Sequence, residues 1–319
     1  AREALQILDI FVREYCKSEK PQVTAICLMF ATPFGHVRKS LNCNQQNLVF
    51  AGQPDTYKST IAAIGTFLGG LDHNHPAVWR SGYVTYAQLA NSCGRHTLPF
   101  VVDDAPLDFF STKNAQTVAF LKSAPQTLVN RLLETTKDWK KALATPVFTF
   151  NDIPIVGDWY LANPKRLLLV RFENQEEVKQ GGRELILNNI EKFHHLGAFL
   201  RDNIGKIPLE VFEKPMPEVG KYILEFLYRE LLGKTPEWLK NVMSVDELDP
   251  SDRFIEEYGS IDTEFYQMLY QDILSAAIKT KRVDFKDLSD DIQKMELMRE
   301  ILEEGLIGYI TVKIGKDGK

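Results

Sequence analysis

The sequence has few cysteines and no motif that pairs them. The four cysteines are Cys16, Cys27, Cys43 and Cys93. Because none of them is in C-x-x-C spacing, we expect neither a zinc site nor a disulfide framework, and a reducing compartment is favoured. The apolar run over residues 25–34 is broken by Thr32-Pro33 and is too short to span a bilayer. We expect a cytoplasmic or nucleoplasmic protein with no signal peptide and no membrane partner.

Positive charge is also scarce, because 38 Lys and Arg stand against 43 Asp and Glu, for a net charge of −5. This balance argues against a protein whose whole surface binds nucleic acid, but it allows a few cations to be concentrated in one channel. The sequence has no internal repeat and no low-complexity tract. With 319 residues, 44% of them hydrophobic, the chain is long enough for one sizeable core and a smaller companion.

The most informative segment is residues 48–60, LVFAGQPDTYKST, in which an apolar run ends at Gly52 and Lys58-Ser59 follow. In a nucleotide-phosphate loop, backbone N–H groups surround the phosphates, a lysine reaches the β and γ oxygens, and a hydroxyl holds Mg²⁺. The helix-compatible stretch over residues 59–68 would aim its N-terminal dipole at the anion. The pattern predicts ATP and Mg²⁺ as cofactors, and the alternative is a chance strand-turn-helix.

One position departs from the full loop motif G-x-x-x-x-G-K-[ST], because Tyr57 stands where the second glycine is expected. A tyrosine at a position that prefers positive φ would be strained. Either the loop is bent differently, or it is not a phosphate loop.

A second signal is the short apolar run over residues 98–102, which ends in Asp103-Asp104. Two carboxylates at the carboxyl end of a buried strand can bind a metal ion and activate a water molecule. Asp103 would hold Mg²⁺, directly or through water, and Asp104 would position or deprotonate the attacking water. The alternative is that the pair caps the next helix. The order loop, helix, strand, helix, acidic strand is the one that a P-loop α/β domain requires.

A third signal is the predicted strand over residues 146–150, which ends at Asn151, and the strand over residues 167–170, which Arg166 opens. Asn151 would lie at the ligand edge of a parallel sheet and orient the lytic water. Arg166 would lie at the opposite or a flanking edge, where it would face a neighbouring subunit's nucleotide. The alternatives are a turn residue and a solvated strand start.

Together these motifs resemble the superfamily 3 helicases of the AAA+ class over residues 45–175. The resemblance is strongest to papillomavirus-type initiators and to the helicase halves of plasmid and phage primase-helicases. Its matched positions are Gly52, Pro54, Thr56, Lys58 and Ser59 in the loop, Val101, Val102, Asp103, Asp104 and Ala105 in the acidic motif, Pro146 and Asn151 in the sensor stretch, and Tyr160, Leu161, Arg166 and Phe172 in the final segment.

There are two departures from the family pattern. Tyr57 replaces a glycine, although the loop is similar to that of minichromosome-maintenance helicases, which also carry a non-glycine residue there. Residues 163–165 resemble a short insertion, so the arginine-finger role falls to either Arg166 or Lys165. The resemblance implies that ATP contacts are made by Gly52, Pro54, Thr56, Tyr57, Lys58, Ser59 and Thr60, and Mg²⁺ contacts by Ser59 and Asp103.

In the family, the segment between the acidic pair and Asn151 holds a β-hairpin that grips the nucleic-acid strand. The basic residues of this segment are Arg131, Lys137, Lys140 and Lys141. A lysine at the tip, for which Lys137 is preferred, would contact phosphate, and Trp139 would stack on a base. The alternative is an amphipathic helix with solvated charges.

The resemblance implies an ATPase that forms a ring, expected to be a hexamer, and moves along single-stranded nucleic acid, expected to be DNA. Such a protein would be the replication helicase of a virus, plasmid or mobile element, and it would be nuclear in a eukaryotic host. The alternative is an ATP-binding, weakly hydrolysing switch or scaffold that acts as an initiator, loader or regulator.

The fold class expected is therefore α/β, with an AAA+ P-loop core whose parallel sheet is flanked by helices. We predict a helical collar over residues 1–44, which could join subunits, the ATPase core over residues 45–205, and a mostly helical region over residues 206–319. The pattern of residues 296–314 suggests a partial winged helix or a packing element.

Overall fold

The fold is described from a computed structural model of the chain. The structure describes residues 1–107, 109–110, 115–125, 129–131, 139–152, 166–172 and 180–248. The chain divides into two units, Ala1–Ser251 and Asp252–Lys319. All described residues belong to the first unit, so the predicted winged-helix segment lies outside them.

A five-stranded sheet and a separate two-stranded hairpin make up the described strands. The strands are β1 Asn47–Gly52, β2 Trp79–Ser81, β3 Phe100–Asp103, β4 Val129–Arg131, β5 Trp139–Lys141, β6 Pro146–Phe150 and β7 Leu167–Phe172. The sheet has the order β2-β3-β6-β1-β7, and every neighbouring pair is parallel. Its inner strands are buried on both faces, as expected of a parallel sheet that is covered by helices.

Helices cover this sheet and account for most of the described residues before β1 and after β7. The α-helices are α1 Arg2–Ile10, α2 Lys20–Ala31, α3 Gly35–Ser40, α4 Lys58–Phe67, α5 Tyr86–Cys93, α6 Ala115–Ser123, α7 Gly182–Leu187, α8 Ile190–Asn203 and α9 Met216–Leu232. A π-helical turn, Phe11–Tyr15, continues α1, and short 3-10 segments follow at Thr32–Phe34, Ile204–Lys206, Leu209–Glu213, Glu237–Asn241 and Asp246–Leu248.

Helix α2 lies at the centre of the packing rather than at its margin. Every residue from Gln22 to Ala31 is buried, because α2 packs against α9, α4 and β7. A helix that is apolar all round is typical of such a buried position. The helices of residues 1–44 thus share one hydrophobic core with the sheet and with α9. The domain boundaries proposed at residues 44 and 205 stay a prediction.

The predicted α/β class, with a parallel central sheet and flanking helices, is confirmed. Strand β3 begins at Phe100 rather than at Leu98, because Pro99 has no N–H to give to the ladder. Residues 182–203 do not form one continuous helix, since α7 ends at Leu187 and α8 begins at Ile190. In the described part of the chain, no helix combines the length and apolar character needed to cross a bilayer.

Two helix contacts require glycine because backbone meets backbone. A Cβ built on Gly220 of α9 would lie 1.8 Å from the carbonyl oxygen of Cys27 in α2, and one on Gly197 of α8 would lie 1.9 Å from that of Leu68. Neither distance is compatible with a side chain. These glycines therefore set how closely α9 approaches α2 and how closely α8 approaches the end of α4.

We expect Gly220→Ala to lower the free energy of unfolding by about 2 kcal/mol or more, because overpacking forces two helix backbones apart. The measurement is urea denaturation followed by circular dichroism. Gly205→Ala is the matched control, since no described atom lies within 4 Å of the Cβ that it would add. Equal midpoints for the two variants would contradict the close approach of α2 and α9.

Candidate functional site

The carboxyl ends of β1, β3 and β6 border a cleft of about 660 Å³. Its size is within the range of small-molecule sites, about 300–1,000 Å³. Most of the residues predicted to contact ATP line this cleft, and Gly52 lies just before them at the end of β1. The lining residues are Pro54, Asp55, Thr56, Tyr57, Lys58, Ser59, Thr60, Asp103, Asp104, Asn151, Gln180, Gly181, Arg183 and Glu184. The roles assigned to them from the sequence stay predictions.

The loop after β1 begins with a backbone conformation that demands glycine. Gly52 has a φ of 140°, and a Cβ at this position would lie 2.2 Å from the carbonyl oxygen of Phe172 on the neighbouring strand β7. The chain therefore leaves β1 in direct backbone contact with β7. This close approach directs the following residues toward the carboxyl edge of the sheet.

Tyr57 adopts the left-handed conformation expected of a glycine, with a φ of 66° and a ψ of 14°. For a residue with a side chain this conformation costs roughly 1–2 kcal/mol. The loop is therefore not bent differently to accommodate the tyrosine. Instead, Tyr57 carries the backbone geometry that the sequence motif assigns to its second glycine, immediately before α4 begins at Lys58.

The ring of Tyr57 packs away from the loop, where it makes contacts that offset this cost. Its centroid lies 5.3 Å from that of Phe11 and 6.4 Å from that of Tyr15, both in edge-to-face geometry. Such pairs contribute about 0.5–1.5 kcal/mol each. Its hydroxyl also forms a hydrogen bond with the backbone of Gly182, and burial raises the pKa of this hydroxyl.

Lys58 is almost fully buried, with 5% of its surface exposed. Its ammonium group donates to the carbonyl of Gln53 and, at 3.1 Å, to the hydroxyl of Thr56, which itself donates to the Gln53 carbonyl at 2.9 Å. Burial lowers the pKa of Lys58 to about 8, against the opposing attraction of three nearby carboxylates. Those carboxylates belong to Asp104, Asp103 and Asp55.

The carboxylate of Asp103 joins the loop helix to the sheet. Its Oδ1 accepts one hydrogen bond from Ser59 Oγ at 2.6 Å and another from Thr149 Oγ1 at 2.6 Å. Thr149 Oγ1 in turn accepts the backbone N–H of Asp104 at 3.0 Å. Thr149 was not among the residues predicted from the sequence. Its signal is a hydroxyl in an otherwise apolar strand, two residues before Asn151 and therefore on the same side of the extended chain.

Asn151 contacts the second carboxylate of the acidic pair. Its amide nitrogen donates to Asp104 Oδ1 at 3.0 Å. Asp104 has a φ of 48°, a left-handed conformation that aspartate tolerates better than most residues do. The prediction that Asn151 and the acidic pair meet at the carboxyl edge of the sheet agrees with this geometry.

The described lining of the cleft carries more negative than positive charge. Its cations are Lys58 and Arg183, and its carboxylates are Asp55, Asp103, Asp104 and Glu184. In the part of the chain that the structure describes, no three His, Cys, Asp or Glu side chains could hold a metal by themselves. Mg²⁺ is usually bound by one or two carboxylates together with substrate phosphates. Ser59 and Asp103, in mutual contact at the loop, fit that mode.

Arg166 does not reach the cleft of its own chain. It precedes β7, where its carbonyl accepts a hydrogen bond from Asn47 at the start of β1 at 3.1 Å. Because a parallel strand rises about 3.3 Å per residue, the start of the six-residue β7 lies roughly 16 Å from the carboxyl edge. This agrees with the predicted position at the opposite edge. Lys165 lies outside the described residues.

The segment between the acidic pair and Asn151 contains an antiparallel hairpin. Strand β4 pairs with β5 in a register that sets Arg131 opposite Trp139 and Asn130 opposite Lys140. The amphipathic helix considered as an alternative is therefore wrong for residues 129–131 and 139–141. Lys137 lies outside the described residues, and contact of Arg131, Lys137, Lys140 and Lys141 with nucleic acid stays a prediction.

The end of this hairpin is fixed to the body of the unit. The carbonyl of Cys93 accepts the backbone N–H groups of Leu143 and Ala144 at 2.8 and 3.0 Å. The buried ammonium group of Lys39 donates to the carbonyl of Ala142 at 2.6 Å, and burial lowers the pKa of Lys39 to about 8. The hairpin therefore leaves the sheet from a firmly held base just before β6.

The wall of the cleft that Gln180, Arg183 and Glu184 form was not predicted from the sequence. These residues come from the turn before α7 and from its first residues. The signal in the sequence is the Gly181-Gly182 pair. Gly181 has a φ of 96°, so the pair marks a sharp turn that begins α7 beside the loop.

Neither a family model nor a curated protein matches the chain. Among solved structures, it is similar to the A form of the apo C-terminal region of NrS-1, with 12% identity and a TM-score of 0.39. A second apo structure of that region has 12% identity and a TM-score of 0.32. Both matches cover 75% of this chain and 70% of the other. Likeness at these TM-scores supports no functional conclusion.

We expect Thr149→Val to lower the free energy of unfolding by about 1–3 kcal/mol, because it removes the acceptor of the Asp104 N–H and one of the two hydrogen bonds to Asp103 Oδ1. Chemical denaturation measures the effect. Thr149→Ser is the matched control, since it keeps the hydroxyl that makes both hydrogen bonds. An equal loss in the two variants would show that packing of the methyl group, and not the hydroxyl, matters.

Proposed function

We propose that the protein is an ATPase of the AAA+ class that couples hydrolysis of Mg·ATP to movement along single-stranded nucleic acid. The observation that carries the proposal is the continuous set of hydrogen bonds from Ser59 through Asp103 and Thr149 to Asp104 and Asn151. It joins the start of a helix after a phosphate-type loop to an acidic pair and a polar amide. These groups are the ones that phosphoryl transfer to water requires.

Each group has a role that its position supports. Lys58 would neutralise the β and γ phosphates, and the first turn of α4 would add its backbone N–H groups. Ser59 and Asp103 would hold Mg²⁺, which supplies charge neutralisation on the phosphates when bound. Asp104 would orient or deprotonate the attacking water, and Asn151, which donates to Asp104 at 3.0 Å, would fix the direction of that carboxylate.

Because carboxylates outnumber cations in the described lining of the cleft, the nucleotide would bind together with its metal ion. Asp55, Asp103, Asp104 and Glu184 would repel the bare triphosphate, whereas a divalent cation reduces the charge that the cleft must accept. Without a divalent cation, only Lys58 and Arg183 of the described lining would offset this repulsion. The proposed substrate is therefore the magnesium complex.

The position of Arg166 supports an active site that is shared between subunits. It lies at the amino end of β7, away from the cleft of its own chain, so a role in hydrolysis requires the cleft of another copy. Loss of an arginine that acts in trans typically costs 10³–10⁵ in turnover. We therefore propose a homo-oligomeric ring in which hydrolysis depends on assembly.

Two features support a nucleic-acid strand as the object that is moved. The hairpin of β4 and β5 carries Arg131, Lys140 and Lys141, and Lys137 comes between these two strands in the sequence. In a chain with a net charge of −5, such a local group of cations is better suited to a channel than to an open surface. The resemblance of the motifs to superfamily 3 helicases supports replication of a virus, plasmid or mobile element as the setting.

A nucleotide switch is the second candidate function, and a specific observation favours it. Tyr57 holds its left-handed conformation through contacts with residues 11–15 and with Gly182. A loop that these contacts hold in one conformation would bind ATP without hydrolysing it rapidly, and the bound nucleotide would act as a signal. The protein would then act as an initiator, loader or scaffold whose assembly ATP controls.

We expect ATP hydrolysis that rises with added single-stranded DNA and falls by about 10²–10⁴-fold in Asp104→Asn, because the group that activates water is lost. Lys58→Ala should abolish nucleotide binding. Phosphate release is measured beside the oligomer mass, and Asp202→Asn, an exposed carboxylate on α8, is the matched control. Binding without turnover in the native protein would refute the motor and favour the switch. Equal turnover by monomers and assembled protein would refute the shared site.

We expect the affinity for the Mg·ATP analogue to be constant below pH 8 and to fall by up to about tenfold per pH unit above it. The pKa of Lys58 is lowered to about 8 in the free protein, and a bound phosphate raises it, so binding above pH 8 requires uptake of a proton. Phosphate groups, whose second pKa is about 6, are already ionised there.

Equilibrium titration with a fluorescent analogue between pH 7 and pH 9.5 measures this dependence. Lys58→Arg is the control, because its guanidinium stays charged throughout the range. It should bind more weakly but with a flat profile above pH 8. A flat profile in the native protein would contradict a titrating Lys58 at the phosphates.

A further inference from the structure

The ring of Tyr57 joins three segments that are far apart in the sequence. Its backbone belongs to the phosphate-type loop, its ring packs edge-to-face on Phe11 and Tyr15 of the π-helical turn, and its hydroxyl is hydrogen-bonded to the backbone of Gly182. A residue in this position touches the first helix region, the loop and the start of α7 at once.

The contact with Gly182 is close enough to exclude any side chain there. A Cβ at Gly182 would lie 2.9 Å from Tyr57 Cε1 and 2.9 Å from Cγ and Cδ1 of Tyr15. Gly182 is buried, whereas the adjacent residues Gly181 and Arg183 are exposed. The first residue of α7 therefore rests directly on the two tyrosine rings, while its neighbours are accessible, Arg183 on the wall of the cleft.

Backbone conformation does not account for a tyrosine at this position. Glycine would reach the same positive φ without steric cost, so the loop itself has no need of the ring. What the ring provides is a surface for Gly182. The turn that rests on this surface carries Gln180, Arg183 and Glu184, which form one wall of the cleft.

We propose that Tyr57 is a positioning residue that acts through Arg183. By supporting Gly182, it holds the turn of residues 180–184 against the loop, so that Arg183 lines the cleft together with Lys58. This inference rests on the proposed function, because it assigns Arg183 to the phosphates of the nucleotide bound there. Two cations on separate walls favour the ligand with the greater phosphate charge. Tyr57 thereby contributes to the preference for a nucleoside triphosphate over a diphosphate.

The first test needs no nucleotide. Hydrogen exchange of the native protein should show protected amides over residues 185–188, whose N–H groups have helical acceptors beginning with the Gly181 carbonyl. Tyr57→Gly should reduce this protection about tenfold or more, while Tyr57→Phe, which keeps the ring, retains most of it. Tyr83→Gly controls for the loss of a tyrosine elsewhere, since Tyr83 is 60% exposed. Unchanged protection in Tyr57→Gly would overturn the docking of α7 on the ring.

The second test measures the ratio of the dissociation constants for Mg·ADP and for a non-hydrolysable Mg·ATP analogue. We expect Arg183→Ala and Tyr57→Gly each to lower this ratio about tenfold, as for one charge-assisted hydrogen bond. The double variant should be no lower than Arg183→Ala alone, because Tyr57 acts through that residue. Tyr57→Phe should restore the native ratio, a result that a general loss of stability would not produce.

The outcomes separate the two proposals. If the native protein binds neither nucleotide, the proposed function fails, and the assignment of Arg183 to phosphate fails with it, whatever the exchange measurement shows. If the native protein binds both nucleotides and Tyr57→Gly keeps the native ratio, only the positioning role of Tyr57 is overturned. Multiplicative effects in the double variant would likewise overturn action through Arg183.

Discussion

The candidate site depends on one shared acceptor, Oδ1 of Asp103. The strand that leads to the loop and the strand that carries the acidic pair are not neighbours, since β6 lies between them. With about 4.8 Å between adjacent strands, β1 and β3 are roughly 10 Å apart. The hydroxyls of Ser59 and Thr149 both donate to Oδ1, and these two hydrogen bonds connect the elements across this distance. The loop helix, the middle strand and the acidic strand thereby act as one rigid support for the cleft.

Features that depend on neighbouring residues could be predicted from the sequence, whereas those that depend on distant ones could not. The strand Pro146–Phe150 and the helix after the loop follow from local apolar runs and turn residues, and the structure contains both. The contacts of Thr149 with Asp103 and of Tyr57 with Phe11 join residues that are 46 apart in the chain. No local pattern specifies such pairs. The Gly181-Gly182 pair predicts a turn, but the place of this turn in the cleft wall depends on the distant contact of Gly182 with Tyr57 and Tyr15.

For the N-terminal helices, the sequence pattern predicted the secondary structure but not the position of the helices in the fold. Residues 1–44 are predicted to be a helical collar, and α1, α2 and α3 lie within that range. The pattern alone suggested a collar, but α2 is buried on all sides within the unit. A helix that covers a core carries an apolar stripe, whereas α2 is apolar over most of its surface, a pattern that is typical of a helix within a core. The packing of α9 and α4 around α2 agrees with this position.

The hydrogen bonds of Lys58 affect how the loop would bind and release a phosphate ligand. Its ammonium group already has two acceptors inside the loop, the Gln53 carbonyl and the Thr56 hydroxyl. An arriving phosphate therefore replaces internal oxygens rather than meeting a bare cation, so the affinity that Lys58 supplies comes from the attraction between opposite charges and not from the number of its hydrogen bonds. When the ligand leaves, the ammonium group returns to these two acceptors inside the loop. The empty loop thereby offsets part of the free energy that is lost with the phosphate.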